Sequence, residues 1–352
     1  MATSLRIATF NCENLFSRPK VFETTAAKSQ KILKDVAELE AELRRDPFDK
    51  KKIKSLQTSL KGFATINEVR GHLSSQSVKG PKDFLGWVEL TRSENTDAAV
   101  ENTARVIAEV DADIICLMEV ESRIELQKFH DGLLFTKFLQ PAGKAFYENI
   151  LLIDGNDDRG IDVAVMSRLP VLSLRSHINE PPGHHGNDGA TFSRDCLEVR
   201  VQLPNKKELL VMVNHLKSKR SSPGDPQSNL RRERQARRVA ELVDEHDLKK
   251  EFLVVAGDLN DTPDSKPLKP LLTKKGLFNV NLKLAVADRF TFRSPKEQID
   301  YLLVSDALKA KLTKVRVERQ GIFSSQFPHF PTVTSRRTEA SDHGAVVADF
   351  QF

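Results

Sequence analysis

The sequence predicts an α/β fold in which two packed sheets are flanked by helices, with a helical insertion near the amino terminus. Many short apolar runs have the length of strands, and several follow one another directly. Such β–β pairs leave no room for the crossovers of a doubly wound parallel sheet. Between residues 24 and 98 the periodicity becomes helical. We therefore expect one domain over residues 1–352, with an insertion or subdomain at about 24–98.

The predicted strands are short runs rich in Val, Ile, Leu and Phe. In chain order they cover residues 4–11, 112–118, 148–153, 162–167, 170–177, 195–203, 208–216, 252–255, 298–305, 312–320 and 345–352. Amphipathic helices are predicted at 98–110 and 228–246, where apolar residues recur with a period of about 3.6. The second of these helices is basic and carries Arg231, Arg232, Arg234, Arg237 and Arg238.

The insertion carries an apolar stripe at helical spacing, formed by Ile32, Leu33, Val36, Leu39 and Leu43. The sequence DPFD near residues 46–49 should break this pattern into a helical hairpin. The segments ATINEVRG and GWVELTRS, which follow the hairpin, are expected to be extended. The stripe needs a partner surface, either the second helix or another subunit, so the insertion is also a candidate for self-association.

Composition favours a soluble protein of the cytoplasm with an anionic partner. The net charge of +5 suits nucleic acid. The three cysteines, Cys12, Cys116 and Cys196, are expected to be reduced and packed. His184 and His185 are interpreted as loop residues, because a metal role would need a third ligand nearby. The start MATSLRIATF shows no signal peptide, and no apolar run reaches the about 18 residues of a membrane span, so no membrane association is expected.

Polar side chains recur where predicted strands begin or end. AGDLND, residues 256–261, follows the apolar run FLVV, and five other strand ends are similar. Together these ends carry Asn11, Glu13, Asn14, Glu119, Glu121, Asn214, His215, Lys217, Lys219, Asp258, Asn260, Asp261, Asp300, Asp342 and His343. One polar strand end is typical of a turn, whereas six indicate a site distributed along the chain. Carboxylate and amide oxygens without cysteine favour Mg²⁺ or Mn²⁺, and the Asp and His residues suit proton transfer near neutral pH.

The motifs TFNCEN, CLMEVE, NHLKSK, GDLND, QIDYLLVS and SDH, in this order, resemble the motif series of the endonuclease/exonuclease/phosphatase superfamily. The resemblance covers residues 4–23 and 98–352. It implies the DNase I-like fold, a four-layer α/β sandwich of two packed mixed sheets flanked by helices. It also implies metal-dependent hydrolysis of phosphoester bonds.

The resemblance implies a metal site in which Glu119 is the main ligand. Asn11 and Glu13 would lie beside Glu119, and Asp342 would lie near the metal. Glu13 stands where many relatives have Asp or Asn, so it is expected to bind either directly or through water. Mg²⁺ is the expected ion, with Mn²⁺ as a substitute and Ca²⁺ as an assisting ion.

The resemblance also implies a catalytic set around the scissile phosphate. Asp258 would orient the attacking water, and Asn260 would contact the phosphate or the metal. His343, paired with Asp300, would polarise the phosphate or shuttle a proton. His215 matches a histidine that acts near the leaving oxygen in deoxyribonucleases of the pancreatic type.

Further residues are nominated by the same resemblance. A carboxylate two strands earlier supports the matching histidine in those deoxyribonucleases, and Asp154 is the candidate here. TFSRD is similar to their phosphate-contacting arginine motif and nominates Arg194, with Lys217 and Arg159 as other substrate contacts. The basic helix at 228–246 either tracks a phosphate backbone or is a solvated face.

These features predict a Mg²⁺-dependent nuclease, an endonuclease with little sequence preference that acts on DNA and, as a further candidate, RNA. The alternative is a phosphodiesterase or phosphatase of small or lipid phosphoesters, such as sphingomyelin or inositol phosphates. The inositol polyphosphate branch usually has a Trp before the GD motif and a CDR motif later, and this sequence has neither. A third hypothesis, a binding module without catalysis, is disfavoured by the intact set of acidic residues and histidines.

Overall fold

The computed structural model of the protein describes residues 4–24, 26–68, 71–72, 86–157, 159–181, 189–219 and 225–352. His184 and His185 lie outside these ranges. The chain forms two compact units, Met1–Leu15 with Thr96–Phe352 and Phe16–Asn95. Each unit has its own apolar core. Among the described residues, no helix combines the length and apolar character needed to cross a bilayer.

The strands of the described residues are, in chain order, β1 (Ser4–Asn11), β2 (Ser17–Pro19), β3 (Ala64–Glu68), β4 (Gly71–His72), β5 (Gly86–Leu90), β6 (Arg92–Glu94), β7 (Ile114–Val120), β8 (Asn149–Leu152), β9 (Asp162–Ser167), β10 (Val171–Arg175), β11 (Cys196–Gln202), β12 (Glu208–His215), β13 (Phe252–Asp258), β14 (Leu277–Asn279), β15 (Asp300–Ser305), β16 (Leu312–Glu318) and β17 (Ala345–Gln351). The α-helices are α1 (Ala26–Leu43), α2 (Lys50–Ser59), α3 (Asp97–Val110), α4 (Arg123–Phe129), α5 (Asn229–Asp244), α6 (Lys269–Leu272) and α7 (Asp306–Lys309). A π-helix at His130–Leu139 extends α4, and short 3-10 helices occupy Lys20–Glu23, Gln140–Ala142, Val280–Lys283 and Val286–Asp288.

The larger unit contains two six-stranded sheets, and both are mixed. The first sheet has the order β16-β17-β1-β7-β9-β8, and the second has the order β10-β11-β12-β13-β15-β14. Each sheet contains one parallel pair, β1 with β7 and β12 with β13, among antiparallel neighbours. A parallel pair needs a crossover, and α3 and α5 lie in the two connections concerned. This architecture confirms the predicted α/β sandwich of two mixed sheets flanked by helices.

The two sheets pack face to face through alternate residues of their strands. Their shared core contains Ile7, Cys116 and Val163 from the first sheet, and Val199, Val211 and Val254 from the second. Helix α5 covers the opposite face of the second sheet, where Ala236 and Val239 pack with Met212. Because both faces are buried, β12 and β13 are continuous apolar runs rather than alternating ones. All three cysteines are buried and free of disulfides.

The smaller unit is a helical hairpin with two short sheets. The apolar stripe of α1 packs against α2 and its carboxyl end, through Ile32, Leu39, Leu43, Ile53, Leu56 and Leu60. The second helix is therefore the partner surface of the stripe within this unit. The Asp49 side chain caps α2 by accepting the backbone N–H groups of Lys51 and Lys52. Strands β3 and β5 pair antiparallel, as the two extended segments predict.

The chain enters and leaves the smaller unit at adjacent positions. Strand β2 pairs with β6, and the Asn95 backbone N–H donates to the Phe16 carbonyl oxygen at 2.9 Å. The unit therefore begins at Phe16 and ends at Asn95, close to the 24–98 expected for the insertion. An insertion with joined ends adds little loop-closure entropy to the chain that receives it.

Candidate active site

Two neighbouring strands of the second sheet end in His215 and Asp258. β12 and β13 run parallel, and their register places His215 beside Asp258. β15 is antiparallel to β13, so its first residue, Asp300, is paired with Asp258 at the same edge. Gly257 has a φ of 138°, and a Cβ atom there would lie 1.8 Å from the Asn214 carbonyl oxygen. Only glycine therefore lets β13 approach β12 closely in this register.

The first sheet carries polar residues at its own central strand ends. Asn11 ends β1 and is paired with Met118 of the parallel strand β7. Glu119 follows Met118 where the register with β9 shifts, and it has a φ of 62°. Such a bulge redirects the side chain of the bulged residue. His343 lies just before β17, which is antiparallel to β1.

Direct contacts join the strand ends of the two sheets. Asn11 Nδ2 donates to Asp258 Oδ2 at 3.0 Å. His215 Nε2 lies 3.7 Å from Asp258 Oδ2 and 3.8 Å from Glu119 Oε1. The residues predicted from separate motifs therefore form one polar site, to which the central strands of both sheets contribute.

His343 and Asp300 form a buried pair. His343 Nδ1 lies 2.9 Å from Asp300 Oδ2, which fits an N–H group donating to the carboxylate. Burial opposes protonation of His343, but Asp300 and Asp258 outweigh burial and raise the pKa of His343 well above its usual value. Protonation of the ring is therefore favoured. Thr291 Oγ1 accepts the backbone N–H of Asp300 at 3.0 Å and anchors the start of β15.

Asp258 is buried and accepts two hydrogen bonds. Its Oδ2 atom accepts from Asn11, and its Oδ1 atom accepts the backbone N–H of Asn260 at 2.8 Å. Burial and the neighbouring carboxylate of Asp300 raise the pKa of Asp258 to about 7. Near neutral pH this carboxyl group can therefore take up and release a proton.

Hydrogen bonds link Asn11 to Glu13 and Glu13 to Asp342, and a separate contact holds Glu119. Asn11 Oδ1 accepts the backbone N–H of Glu13 at 2.9 Å, and Glu13 Oε2 accepts that of Asp342 at 3.1 Å. Asn14 Nδ2 donates to Glu119 Oε2 at 2.7 Å. The sequence marks Asn14 only as a polar strand end, and its role in orienting Glu119 emerges from this contact. The donor set of Asn11, Glu13, Glu119 and Asp342 offers oxygen atoms alone, which fits a hard divalent cation.

Backbone strain is concentrated in these segments. Of the seven non-glycine residues with positive φ in the described chain, four belong to the site, namely Glu13, Asn14, Glu119 and Asn260. A left-handed conformation costs a non-glycine residue about 1 kcal/mol or more, so the surrounding contacts must hold it. Strain of this kind is typical of functional sites.

The phosphate contacts nominated by the sequence meet at one backbone carbonyl. Arg194 Nη1 and Asn260 Nδ2 both donate to the Leu216 oxygen, at 3.3 and 3.0 Å. Lys217 is the next residue, and burial followed by the charge of Arg194 lowers its pKa to about 8. Arg159 belongs to the same group of charges, since it also lowers the pKa of Lys217. These donors therefore gather beside the strand end that carries His215.

His215 has a different environment from the one expected. Burial, Arg194 and Arg159 hold its pKa well below the usual value, so the imidazole is neutral at neutral pH. Its Nδ1 atom has no hydrogen-bond partner in the described part of the chain. Asp154, the expected support, is exposed beyond the end of β8 at Leu152 and makes no hydrogen bond to this Nδ1 atom, so its role stays a prediction.

Helix α5 also departs from expectation. Arg232 is fully buried, and its Nε and Nη2 atoms contact Asp261 Oδ2 at 3.0 and 2.8 Å. Arg238 is bound to both carboxylate oxygens of Glu180. Arg232 therefore lies neither on a solvated face nor on a phosphate-tracking one, because it ties α5 to the loop after β13.

Comparison with known proteins agrees with this architecture. A sequence model described as the Endonuclease/Exonuclease/phosphatase family matches residues 79–343, which is most of the chain. No curated protein sequence matches significantly.

Solved structures of this kind share the fold at low sequence identity. A Bacteroides thetaiotaomicron endonuclease/exonuclease/phosphatase family protein has a TM-score of 0.53 and 14% identity, and the match covers 100% of this chain and 99% of that one. The endonuclease/exonuclease/phosphatase from Beutenbergia cavernae has a TM-score of 0.52 and 16% identity, and the match covers 99% of this chain and 72% of that one. The endonuclease/exonuclease/phosphatase from Bacteroides vulgatus has a TM-score of 0.51 and 14% identity, and the match covers 99% of this chain and 98% of that one. With its two mixed sheets and the matched sequence model, the chain belongs to the endonuclease/exonuclease/phosphatase family, whose members hydrolyse phosphoester bonds.

Proposed function

We propose that this protein is a Mg²⁺-dependent nuclease, an endonuclease with little sequence preference that hydrolyses DNA and, as a second substrate, RNA. The observation that carries the proposal is the buried cluster of Asp258, Asp300 and His343, whose ligand atoms lie within 4.8 Å of one another. In this cluster Asp258 is the proton acceptor and the protonated His343 ring is the cation. Both lie at the edge where the strands of the two sheets end in polar residues. Phosphodiester hydrolysis needs both, because water must be activated while negative charge on the phosphoryl oxygens is neutralised.

Asp258 is suited to orient the attacking water. Asn11 and the backbone of Asn260 fix its two oxygens, so the carboxylate has a defined direction. Its pKa of about 7 lets it accept a proton from water near neutral pH. Asn260 lies next to this carboxylate and is suited to contact the phosphate.

His343 is suited to neutralise a phosphoryl oxygen. Because Asp300 holds Nδ1, the ring orientation is set, and the N–H group at Nε2 remains to meet the substrate. The distance from Nε2 to Asp342 Oδ1 is 3.7 Å, too long for a hydrogen bond. A charge-assisted hydrogen bond from Nε2 strengthens as negative charge develops on the phosphate.

Asn11, Glu13, Glu119 and Asp342 would hold the divalent cation, Mg²⁺ with Mn²⁺ as a substitute and Ca²⁺ as an assisting ion. When bound, such a cation polarises the phosphoryl group as a Lewis acid. The contribution of the chain is to keep the carboxylates in place, since Asn14 holds Glu119 and the backbone of Asp342 holds Glu13. Glu119 as the main ligand remains the assignment that follows from the family motifs.

His215, Arg194, Lys217 and Arg159 are assigned to the substrate. The neutral imidazole of His215 can carry its proton at Nε2, close to Asp258 and Glu119, and is placed to donate a hydrogen bond to the leaving oxygen. Arg194, Lys217 and Arg159 offer cationic donors to phosphate oxygens. The positive charges of the buried Arg194 and of Lys217 repel each other, and the negative charge of a bound phosphate would reduce this repulsion.

Hydrolysis of small or lipid phosphoesters is the alternative, and the contacts of α5 favour it. A surface that tracks a nucleic-acid backbone needs cations that can pair with phosphates. Arg232 and Arg238 are already bound to Asp261 and Glu180. A nucleic-acid partner is supported instead by the net charge of +5 and by the basic residues at the site itself.

A substrate panel tests the proposal. Supercoiled plasmid, linear duplex, single-stranded DNA, RNA and sphingomyelin are each incubated with Mg²⁺, Mn²⁺, Ca²⁺ or a chelator. We expect the plasmid to be nicked with Mg²⁺ and left intact with the chelator. Asp300→Asn should reduce cleavage by about 10²-fold or more. The matched control is Asp306→Asn, an exposed aspartate at the start of α7, which should cleave normally.

Two outcomes would contradict the proposal. Cleavage that persists with the chelator would remove the role of a divalent cation. Hydrolysis of sphingomyelin without hydrolysis of any nucleic acid would establish the alternative substrate class.

A further inference from the structure

Arg194 is a buried cation whose hydrogen bonds are incomplete. Only 1% of the residue is exposed. Its Nη1 atom donates to the Leu216 carbonyl oxygen, and Nε forms an ion pair with Asp157 Oδ2 at 2.9 Å, outside hydrogen-bond geometry. Its Nη2 atom has no hydrogen-bond partner among the residues that the structure describes. A buried donor without an acceptor costs about 1–3 kcal/mol, and more when it is charged.

The carboxylate of Asp157 binds a second guanidinium at the same time. Asp157 Oδ1 and Oδ2 lie 2.9 Å from Nε and Nη2 of Arg159, and Oδ1 also accepts the Arg159 backbone N–H at 3.0 Å. The Asp157 side chain is only 6% exposed. One carboxylate therefore faces two guanidinium groups, those of Arg194 and Arg159.

The loop that carries Asp157 is anchored to the segment that carries Arg194. Asn156 Nδ2 donates to the carbonyl oxygens of Ile178 and Phe192 at 2.7 and 3.1 Å. The backbone N–H of Gly155 donates to Asp162 Oδ1 at 2.7 Å. A Cβ atom at Gly155 would lie 3.1 Å from the Arg194 Cα atom, so the two backbones nearly touch. The position of the Asp157 carboxylate is therefore set by several contacts.

The Arg194 guanidinium lies near the catalytic strand ends, because it shares the Leu216 carbonyl oxygen with Asn260. Burial lowers the pKa of Arg194 to about 10, against the opposing charges of Asp157, Glu119 and Asp258. Glu119 and Asp258 belong to the polar site, and their charges act on Arg194. An anion beside the guanidinium would give Nη2 the acceptor that it lacks among the described residues.

We propose that Asp157 is a positioning residue, which holds the guanidinium groups of Arg194 and Arg159 where they receive a phosphoryl group of the substrate. The inference rests on the proposed function for the identity of that anion. Asp157 does not touch the substrate itself. It acts through the two arginines, because rigid donors bind an oxyanion better than donors that must first be ordered.

The direction in which phosphate affinity changes when Asp157 is removed distinguishes positioning from simple charge neutralisation. If Asp157 only neutralised charge, its removal would increase the positive potential and tighten the binding of an anion. If Asp157 positions the arginines, its removal weakens binding, because the donors lose their fixed geometry. Loss of one well-made charged hydrogen bond corresponds to a weakening of about tenfold.

The test measures binding of inorganic phosphate by calorimetry, with Mg²⁺ present. We expect Asp157→Asn to bind phosphate about tenfold more weakly than the unchanged protein. The matched control is Asp111→Asn, which removes another aspartate–arginine pair, with Arg168 Nη2 at 2.8 Å, away from the site. Phosphate affinity should be unchanged in this control. Equal or tighter phosphate binding by Asp157→Asn would overturn the proposal.

A double-mutant cycle shows whether Asp157 acts through Arg194. Arg194→Lys keeps the charge but loses the planar group that Asp157 holds. The loss of phosphate affinity in the double variant should be smaller than the sum of the two single losses, because one part of the effect of Asp157 passes through Arg194 and the other through Arg159. Additive losses would mean that Asp157 acts elsewhere, which also overturns the proposal.

Asp157→Glu keeps the buried charge and serves where the asparagine variant fails to fold. It displaces the carboxylate by one methylene, so phosphate binding should again weaken, and unaltered binding would refute positioning. Because phosphate binding needs no turnover, the outcome is independent of whether nucleic acid is the substrate. Weaker binding in a protein that cleaves no nucleic acid would retain this inference while the proposed function fails.

Discussion

At the scale of single residues, the site depends on side chains that other side chains hold in place. Asn14 orients Glu119, and Asp300 orients His343. Local sequence marks such residues as polar strand ends but does not say which of them meet. A substitution therefore acts both through the group it removes and through the partner it leaves behind.

Glu119→Gln tests the metal assignment. The amide keeps the volume and an oxygen for Asn14, but it removes one negative charge from the oxygen donors. We expect cleavage at low millimolar Mg²⁺ to fall by about 100-fold or more, with an unchanged melting temperature. Glu109→Gln, on the exposed side of α3, is the control and should behave normally. Near-normal turnover of Glu119→Gln would show that the main ligand lies elsewhere.

The contacts of the buried His177 with two glutamates lead us to expect that the free energy of unfolding depends on pH. Its Nδ1 atom lies 2.6 Å from Glu180 and its Nε2 atom 2.9 Å from Glu198, while Arg238 binds Glu180 from the other side. The Asp195 carboxylate accepts the His177 backbone N–H. Burial opposes protonation of His177, but the hydrogen bonds to Glu198 and Glu180 outweigh it and raise the pKa of His177 above its ordinary value of 6.5.

Because this pKa is higher in the folded state, folding binds a proton at His177. The stabilisation is fully present below pH 6.5 and is lost as the pH rises through the folded-state pKa. Urea unfolding of the unchanged protein and of His177→Gln, measured from pH 5 to 9, checks this expectation. The difference in unfolding free energy should shrink as the pH rises. A difference that grows with pH would contradict the assigned protonation state.

At the scale of elements, α5 joins the outer layer to the site. Its apolar side packs on the second sheet, and Arg232 reaches the loop after β13. A solvated face alone would tolerate any polar residue at this position. Contact with a phosphate backbone stays a prediction for the half-buried Arg231 and Arg234. Arg232 and Arg238 are not candidates for this role, because they bind Asp261 and Glu180.

Arg232→Met tests this anchor. It removes the buried guanidinium from Asp261 and leaves the exposed Lys219, at 3.0 Å, beside this buried carboxylate. Breaking a buried ion pair in this way should cost about 3 kcal/mol of unfolding free energy. Arg237→Gln on the same helix removes an exposed pair with Glu233 and should cost about 0.5 kcal/mol or less. Equal effects in urea titrations would place Arg232 on the surface.

At the scale of the whole molecule, the chain is a sandwich interrupted by a unit with its own core. The residues assigned to the site all belong to the larger unit. The smaller unit therefore carries no proposed chemistry, and its role in self-association or substrate choice remains a prediction.

Replacing residues 17–94 by a short Gly/Ser linker tests that role. The ends of the unit are joined by the Asn95–Phe16 hydrogen bond, so a short linker suffices. We expect hydrolysis of a small aryl phosphodiester to be retained, while activity on long DNA or the oligomeric state changes. Light scattering and the two activity assays measure this. A folded deletion variant without any hydrolysis would show that the unit supports the chemistry.

The sequence by itself determined the layers of the fold and the strand ends that carry polar residues. The physical reason is local, because a strand buried on both faces must be a continuous apolar run. The predicted helices at 98–110 and 228–246 correspond to α3 and α5, because a helix buried on one side repeats its apolar residues with a period of about 3.6. The segment of α4 and its π-helix was not predicted, since its apolar residues do not follow a clear helical period.

Apart from the pair of His343 and Asp300, which the family motifs imply, the tertiary structure decided which polar side chains meet. The helical period places Arg232 on the same side of α5 as Ala236 and Val239, but its partner Asp261 is distant in the chain and is found only in the structure. Asp154 and Asp157 lie in one loop, and only Asp157 turns towards Arg194. These outcomes depend on the path of loops and on partners distant in the chain, and periodicity carries no information about either.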